Sequence, residues 1–286
     1  MTDRARLVSA VVPTKDTVRT MERCLRSIRE QTWPAVELVV VDNFSTDGTW
    51  ELAERLADVA IQAGPERSAQ RNLGVERASG EWILWIDADM ELPATILERA
   101  MEAAERDVAD AVFIPEVTVG DGYWTRCRAL ERSCCTDEML VQSPRLVRRD
   151  YLVRSGGFLT SLAGTEDAEL RTRMLDDRLP MTRIPDLIIH DEGRLRLGGI
   201  LYKRYYYGRG LALYKRDHPG ALGSQAKAAV SSYRRNWRRL VADPTVAVGV
   251  VALRTSEFAA YGIGAVVGAR AIGLSRRSSR FQGSSA

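Results

Sequence analysis

The chain has 286 residues, of which 45% are hydrophobic, so it can form a sizeable buried core and is not a disordered protein. Residues 1–20 lack the basic and then apolar pattern of a secretory signal, and we therefore expect a cytoplasmic protein. The four cysteines contain no CxxC pair, which favours reduced, packed thiols over a disulfide framework.

The net charge of +3 conceals an uneven distribution along the chain. Most acidic residues lie in residues 1–193, whereas residues 194–286 are strongly basic. This asymmetry predicts two regions with a boundary near residue 193. It also predicts an anionic partner for the second region: a membrane surface, a phosphate-bearing ligand or nucleic acid.

Apolar runs and amphipathic stretches alternate over the first 115 residues. The runs predict strands at 7–13, 36–42, 59–63, 82–87 and 110–115, with helices at 17–31, 49–57, 68–78 and 94–106 between them. This order predicts an α/β fold with a mostly parallel central sheet flanked by helices. Ligands bind beyond the carboxyl ends of the strands in such sheets. Pro13, Asp16, Asp42 and Asp87 should therefore lie along one edge.

The alternation weakens after residue 116. We expect a strand, a short helix and a glycine turn within 143–158, a helix over 165–175, and one strand over 182–193 that includes His190. Beyond 194 we expect helices. The apolar stretch 245–274 is interrupted by charges, and its uncharged parts are shorter than the roughly 20 residues that a bilayer span requires. The basic tail, residues 275–286, is predicted to be disordered.

The stretch WILWIDADM (82–90) ends a predicted strand in two carboxylates one residue apart, Asp87 and Asp89. An unpaired carboxylate near a core costs desolvation energy, which a divalent cation would offset. Mg²⁺ or Mn²⁺ held by one or two carboxylates completes its shell with phosphate oxygens of a ligand. The alternative is a pair of solvated acids that cap the helix after Pro93.

Three further motifs allow two interpretations each when they are taken alone. The acid Asp42, followed by a polar turn, can bind a base or ribose or can form an Asx turn. Arg67 and Arg71 lie one helical turn apart and can face a diphosphate or solvent. The sequence TED at 165–167 can hold catalytic acids or cap a helix.

The motifs together resemble the family 2 inverting glycosyltransferases of GT-A fold. In chain order they are VVPTKD (11–16), VVVDNFSTDGTW (39–50), SAQRNLGVERASGEWILWIDADM (68–90) and TEDAEL (165–170). The resemblance covers residues 7–193. It implies a Rossmann-like catalytic domain over 1–193 that binds a nucleotide sugar, followed by a helical extension over 194–286.

The resemblance also implies roles for individual residues. It assigns contacts with the nucleotide sugar to residues at the strand ends and to one arginine of a neighbouring helix: Pro13, Lys15, Asp16, Asp42, Asn43, Arg71 and Asp87. Asn43 departs from the family's usual pair of acids, which leaves the base open. Asp89 would coordinate Mn²⁺ or Mg²⁺, and His190 matches a position near the metal, although a locally hydrogen-bonded histidine is the alternative. Asp167 would be the general base, and Glu166 would orient it or bind the acceptor.

The implied reaction moves a sugar from a UDP- or GDP-linked donor to a hydroxyl of a saccharide or a polyprenyl-linked lipid, as in the synthesis of cell-envelope polysaccharide. Mixed tyrosines and basic residues in 201–219 favour peripheral or monotopic association with the anionic inner face of the cell membrane. The alternatives are an ordinary helical domain or a dimer interface. Nucleic acid is not expected, because no binding motif for it is present.

Two rival functions differ in class. A sugar-phosphate nucleotidyltransferase would resemble chains with a glycine-rich loop after the first strand, and the loop PTKDT (13–17) has no glycine. A non-catalytic scaffold of the same fold would not need the intact DAD and TED motifs.

Overall fold

The computed structural model of the chain describes residues 6–162 and 164–282. Its main sheet has seven strands in the order β3-β2-β1-β4-β8-β6-β9. In chain order these strands are β1 (Val8–Thr14), β2 (Val36–Asp42), β3 (Val59–Gln62), β4 (Trp82–Trp85), β6 (Ala111–Phe113), β8 (Pro144–Arg148) and β9 (Met181–Arg183). Strand β8 is antiparallel to both neighbours, and the other pairs are parallel. The predicted α/β fold with a mostly parallel sheet is confirmed.

Helices cover both faces of this sheet. They are α1 (Val18–Arg29), α2 (Thr49–Leu56), α3 (Arg67–Arg77), α4 (Ile96–Arg106), α6 (Arg149–Arg154) and α7 (Glu166–Asp176). Helix α5 (Tyr123–Ser133) packs mainly against residues 116–119 and the C-terminal helices. Alternate residues of β1 enter two separate cores, with Val12 on one face and Val11 on the other. All four cysteines are buried and free, as predicted.

Helix α3 lies unusually close to the sheet because of Gly74. A Cβ atom at this position would lie 2.3 Å from Val11 Cγ1 of β1, which is too close for any side chain. The close approach places Gln70 and Arg71, one turn earlier on α3, beside the carboxyl ends of the strands.

A second, three-stranded sheet stands next to the main one. Its strands are β5 (Met90–Glu91), β7 (Glu116–Val119) and β10 (Ile188–Asp191), in the order β5-β10-β7. The prediction of one strand over 182–193 is wrong, since β9 and β10 belong to different sheets. Pro185 separates them, because proline cannot donate a ladder hydrogen bond.

The C-terminal region is helical, as predicted. It contains α8 (Leu197–Asp217), α9 (Ala221–Arg235), α10 (Trp237–Ala242) and α11 (Pro244–Gln282). The tail predicted to be disordered, 275–286, is helical as far as Gln282, and residues 283–286 lie outside the described residues. Helix α11 packs against α8 and α5.

Glycines set the distance between α8 and α11. A Cβ atom at Gly208 would lie 2.3 Å from the Tyr261 carbonyl oxygen, and one at Gly264 would lie 2.1 Å from that of Tyr205. Gly268 meets the backbone of Arg209 in the same way. The two backbones therefore touch, and no larger residue fits at this crossing.

A buried ion cluster joins α11 to the rest of the protein. Glu257 of α11 has 3% of its side chain exposed, and it accepts hydrogen bonds from Arg204 Nε of α8 at 2.7 Å and from Arg128 of α5. Arg254 Nη1 adds a third bond at 3.0 Å. A buried charge of this kind is tolerated only when it is fully paired, so the cluster holds α11 in one position on α5 and α8.

One section of α11, Pro244–Arg270, is long and apolar enough to cross a membrane by length and composition, and most of it is not buried in the protein. This corrects the prediction that charges make the stretch too short to qualify. The charged residues Arg254 and Glu257 do not break the helix, so the flanking apolar parts count as one length.

Candidate active site

The carboxyl ends of β1 and β2 form the first wall of the site. The register pairs Pro13 with Val41 and Thr14 with Asp42. Gln70 of α3 is buried and its Nε2 donates to the carbonyl oxygens of both Thr14, at 3.0 Å, and Val41, at 2.7 Å. These bonds fix the two strand ends against α3.

The residues of these loops that are predicted to contact a nucleotide form hydrogen bonds within and between the loops. Asp42 is fully buried and accepts from the backbone N–H of Ser45, three residues further on, at 2.9 Å, so it is bonded within its own turn. Lys15 Nζ donates to the Phe44 carbonyl at 2.7 Å, Asp16 accepts from the Thr46 backbone N–H at 2.9 Å, and Asn43 donates to the Pro65 carbonyl at 2.9 Å. Their contacts with a nucleotide remain predictions.

Arg71 is the centre of the site. Its side chain is fully buried, with the guanidinium carbon 4.6 Å from the ring centroid of Trp85 and 5.2 Å from that of Phe158. Its Nη2 donates to Asp87 Oδ1 and its Nη1 to Asp167 Oδ1, each at 2.7 Å. One buried guanidinium therefore joins the DAD motif to the TED motif.

Arg67 lies one turn earlier on α3 and differs from Arg71 in exposure. Its Nη2 donates to Glu166 Oε1 at 2.8 Å, while 36% of its side chain remains exposed. The diphosphate contact expected of Arg71 remains a prediction, and Arg67 is the arginine of this pair with surface free for a ligand.

The two acids of the TED motif have different surroundings. The side chain of Glu166 is 2% exposed, whereas that of Asp167 is 30% exposed and borders the open cleft. Of the two carboxylates, Asp167 is the one that an incoming hydroxyl can reach.

The small sheet brings His190 to Asp89. His190 on β10 pairs with Met90 on β5, the residue that follows Asp89. His190 Nε2 lies 3.3 Å from Asp89 Oδ2, and its Nδ1 lies 2.9 Å from Glu116 Oε2 on β7. Two residues predicted to serve one metal are thus neighbours, although they lie far apart in the chain.

Neighbouring charges shift the pKa values of Asp87 and His190 in the direction of their charged forms. Burial disfavours the ionised form of Asp87, but the neighbouring Arg71, Arg67 and Arg145 hold the pKa of this carboxyl well below its usual range. Burial also opposes protonation of His190, but its hydrogen bonds to Asp89 and Glu116 raise its pKa to about 9. A cation that binds the imidazole must displace that proton, so binding is favoured at higher pH.

The side chains of Asp89 and His190 fit a metal ion whose remaining coordination positions are filled by the substrate. Among the described residues there is no cluster of three or more His, Cys, Asp or Glu side chains arranged to hold a metal ion. Asp89 Oδ1 is nevertheless buried without a hydrogen-bond partner among the described residues, beside His190. Mg²⁺ and Mn²⁺ commonly take one or two protein ligands and fill the remaining positions with phosphate oxygens and water.

These residues line one cleft of about 410 Å³, which we call the donor cleft after the nucleotide-sugar donor that the sequence predicts there. It is bordered by Pro13, Arg67, Asp87, Asp89, Asp167 and His190, with Lys203, Arg204 and Tyr207 of α8 on the opposite side. The structure therefore gathers the predicted DAD, TED and histidine residues, and it adds a wall from the C-terminal helices.

Sequence reasoning missed Arg145 and Glu116. The guanidinium carbon of Arg145 on β8 lies 4.4 Å from the ring centroid of Trp85, the same ring that Arg71 contacts. Arg145 Nε donates to Glu116 Oε1 at 3.0 Å. Both residues lie on short strands in the part of the chain where the alternation weakens. The only signal was a charged residue inside an apolar strand, as in PRLVR (144–148).

Comparison with known proteins identifies the family. The model of the glycosyl transferase family 2 matches residues 9–154, just over half of the chain. The chain therefore belongs to this family, and the predicted resemblance is confirmed. The match contains the DAD motif and ends before the TED motif.

Individual relatives agree with this assignment. Glycosyltransferase AglE of Haloferax volcanii is 26% identical over 227 residues, which cover 73% of this chain and 74% of AglE. The alignments with several other curated relatives cover only about a third of their length.

Solved structures show the same fold. The mannosyltransferase PcManGT of Pyrobaculum calidifontis, in complex with GDP-Man and Mn²⁺, has a TM-score of 0.58 at 22% identity and covers 95% of this chain and 81% of its own. TarS of S. aureus, in complex with UDP, has a TM-score of 0.57 at 19% identity, covering 81% and 72%. At these identities the likeness establishes the GT-A-like fold.

Proposed function

We propose that the protein is a metal-dependent inverting glycosyltransferase that moves a sugar from a UDP- or GDP-linked donor to an acceptor hydroxyl in cell-envelope polysaccharide synthesis. The observation that carries this proposal is the joining of DAD and TED by Arg71 in one cleft. The family membership and the nucleotides bound by PcManGT and TarS support it.

The donor occupies the donor cleft in this proposal. Asn43, Lys15 and Asp16 lie beside the base and ribose at the ends of β1 and β2, and Asp87 holds sugar or ribose hydroxyls. Asp42, which is fully buried, reaches the base only if its turn opens when the nucleotide binds. Asp89 and His190 hold Mn²⁺ or Mg²⁺, which when bound neutralises the charge that develops on the leaving diphosphate.

Asp167 acts on the acceptor. Its exposed carboxylate accepts the proton of the acceptor hydroxyl as that oxygen attacks the anomeric carbon from the face opposite the diphosphate, which gives inversion. Arg71 fixes the carboxylate through Oδ1 and leaves the other oxygen for the hydroxyl. Glu166 orients the site through Arg67.

A donor panel tests the function. Purified protein with Mn²⁺ or Mg²⁺ is expected to release nucleoside diphosphate from at least one of UDP-glucose, UDP-galactose, UDP-N-acetylglucosamine and GDP-mannose. Release from none of these donors or of a wider set, with or without acceptors, would favour a non-catalytic scaffold.

Replacing Asp89 with alanine is expected to weaken metal-dependent nucleotide binding by about 100-fold, because the cation loses its protein carboxylate. Isothermal titration with UDP or GDP and Mn²⁺ measures this. Glu91→Ala is the matched control, since Glu91 lies two residues further on and pairs with Arg23 outside the cleft. Equal affinity in the Asp89→Ala variant and the native protein would remove Asp89 from the site.

We also propose that α11 lies in the plane of the inner leaflet. Its residues Val246, Val250, Leu253 and Glu257 are buried against the protein, whereas Val248, Val251, Phe258, Ile263, Val266 and Val267 are exposed. A crossing helix would carry Arg254 and the buried Glu257 into hydrocarbon, which is costly. An in-plane helix keeps the ion cluster and buries only its apolar outer face.

Sedimentation with vesicles tests this orientation. Val251→Asp with Phe258→Asp is expected to reduce partition onto phosphatidylcholine vesicles containing about 30% phosphatidylglycerol by about tenfold or more, since two apolar side chains leave the interface. Val153→Asp with Leu175→Asp is the control, because both positions are exposed on the catalytic domain. Equal pelleting of the two double variants would contradict the proposal.

A further inference from the structure

A second cavity of about 400 Å³ lies behind Asp167, and we call it the basic cavity. It shares wall residues with the donor cleft, among them Asp167, Arg145 and Arg204. Six arginines line it: Arg128, Arg132, Arg145, Arg171, Arg204 and Arg254. Its far wall comes from the C-terminal helices, through Arg204 of α8, Tyr233 of α9 and Arg254 of α11.

Five of these arginines are paired with carboxylates of the protein. Arg132 and Arg145 bind Glu116, and Arg132 also binds Glu192. Arg128, Arg204 and Arg254 bind Glu257, and Arg128 also binds Glu131, so four carboxylates serve the five arginines. These pairs neutralise most of the positive charge of the wall, and they explain why the cavity can exist in a folded protein.

Arg171 differs from the other five. Arg171 is buried, with only 4% of the residue exposed. No carboxylate nevertheless lies within ion-pair distance of its guanidinium in the described part of the chain. Its Nη1 donates to the Gln142 carbonyl, and its Nε is buried without an acceptor among residues 6–162 and 164–282. Burial accordingly lowers the pKa of Arg171. A buried guanidinium without a counterion is costly and is a site for an anion.

A second donor points to the same ligand. Arg145 Nη1 is also buried without an acceptor among the described residues, although the other nitrogens of this guanidinium reach Glu116. Two buried guanidinium groups on one cavity therefore have N–H groups to offer, and a phosphate presents several acceptor oxygens.

The position of Arg171 relates the anion to the reaction. Arg171 follows Asp167 by four residues on α7, so the two side chains lie on the same face, about 5–6 Å apart at their Cβ atoms. An acceptor whose hydroxyl faces Asp167 can place an anionic group on Arg171 without leaving the cavity.

We propose that the basic cavity binds a phosphate-class oxyanion carried by the acceptor, with Arg171 as its principal ligand and Arg145 as a second donor. The binding site follows from the cavity itself, whereas its assignment to the acceptor rests on the proposed function. The acceptor is then a phosphorylated saccharide, or a saccharide linked to a lipid phosphate, rather than a neutral glycan.

Titration calorimetry with inorganic phosphate tests the site. The donor cleft is first saturated with Mn²⁺ and whichever of UDP or GDP binds, so that the added phosphate reports the basic cavity. We expect Arg171→Gln to weaken phosphate binding by about tenfold or more, and Arg171→Lys to retain part of it, because the charge remains. Arg154→Gln, at an exposed position on α6, is the matched control and should bind phosphate as the native protein does.

A second variant protects the test against misfolding. Gln142→Glu places a carboxylate in the same cavity wall and leaves Arg171 in place. It is expected to weaken phosphate binding to a similar extent. The variant also loses the hydrogen bond from Gln142 Nε2 to the Cys135 carbonyl oxygen, so thermal melting is measured beside it to show that the protein is folded. Equal phosphate affinity in the native protein, Arg171→Gln and Gln142→Glu would overturn the proposal, and so would the absence of phosphate binding to native protein.

Farnesyl phosphate distinguishes the two sources of the anion. Binding at least tenfold tighter than inorganic phosphate, lost in Arg171→Gln, indicates a lipid phosphate, and similar affinities indicate a soluble phosphate ester. If neither nucleotide binds, the proposed function fails, and the phosphate titration without nucleotide still decides whether the cavity is an anion site. Normal nucleotide binding without phosphate binding refutes the cavity alone.

Discussion

Asp167→Asn is expected to lower the rate of sugar transfer by about 10²- to 10⁴-fold, because an amide cannot accept the proton of the acceptor hydroxyl. Nucleotide binding should persist, since Asp89 and His190 are untouched. The loss should therefore appear in kcat rather than in the affinity for the donor. Initial rates of nucleoside diphosphate release at saturating donor and acceptor measure it.

The control for this variant is Asp150→Asn. Asp150 is 70% exposed on α6, where it pairs with Arg154 and accepts a hydrogen bond from the Tyr151 backbone N–H, outside the donor cleft. The same chemical change there should leave turnover unaltered. Native turnover in Asp167→Asn would show that the base lies elsewhere, and Glu166 would not be the replacement without a rearrangement, because it is buried against Arg67.

Arg71→Met should cost about 3–5 kcal/mol of unfolding free energy, because it leaves the partly buried carboxylates of Asp87 and Asp167 without their shared partner. Methionine can still pack between Trp85 and Phe158, so the loss reports the missing charge rather than a cavity. Urea denaturation followed by circular dichroism measures the change.

The matched control is Arg77→Met, which makes the same substitution on the exposed face of the same helix. It should change the unfolding midpoint little. Arg71→Lys is expected to fall between the two, because an ammonium cannot bridge both acids as a planar guanidinium does. Coincident unfolding curves for Arg71→Met and Arg77→Met would mean that the bridge does not stabilise the fold.

The sequence predicted the first half of the fold well because local patterns determine it. A buried strand such as β2 is a continuous run of apolar residues, and the buried residues of α1 recur at the spacing of one face of a helix. The same strands also located Asp87, because the end of an apolar run marks the edge of the sheet where ligands bind.

The rest of the site depends on contacts that have no local signal. Strand β5 has only two residues, and its pairing with β10 is what places His190 beside Asp89. Arg145 reads as an interruption of an apolar strand until Trp85 and Glu116 are seen around it. Helix α5, which carries Arg128 and Arg132, lies where the alternation of the sequence fades.

The glycine-mediated crossing of α8 and α11 also limits which parts of this protein can be exchanged for those of another. Because the backbones touch at Gly208 and Gly264, Arg204 on α8 keeps its place between the two cavities only while α11 is present. Residues 1–193 and the C-terminal helices therefore have to be kept together when the protein is redesigned. A chimera that joins residues 1–193 to a foreign C-terminal region would lose the α8 wall of the donor cleft as well as the far wall of the basic cavity.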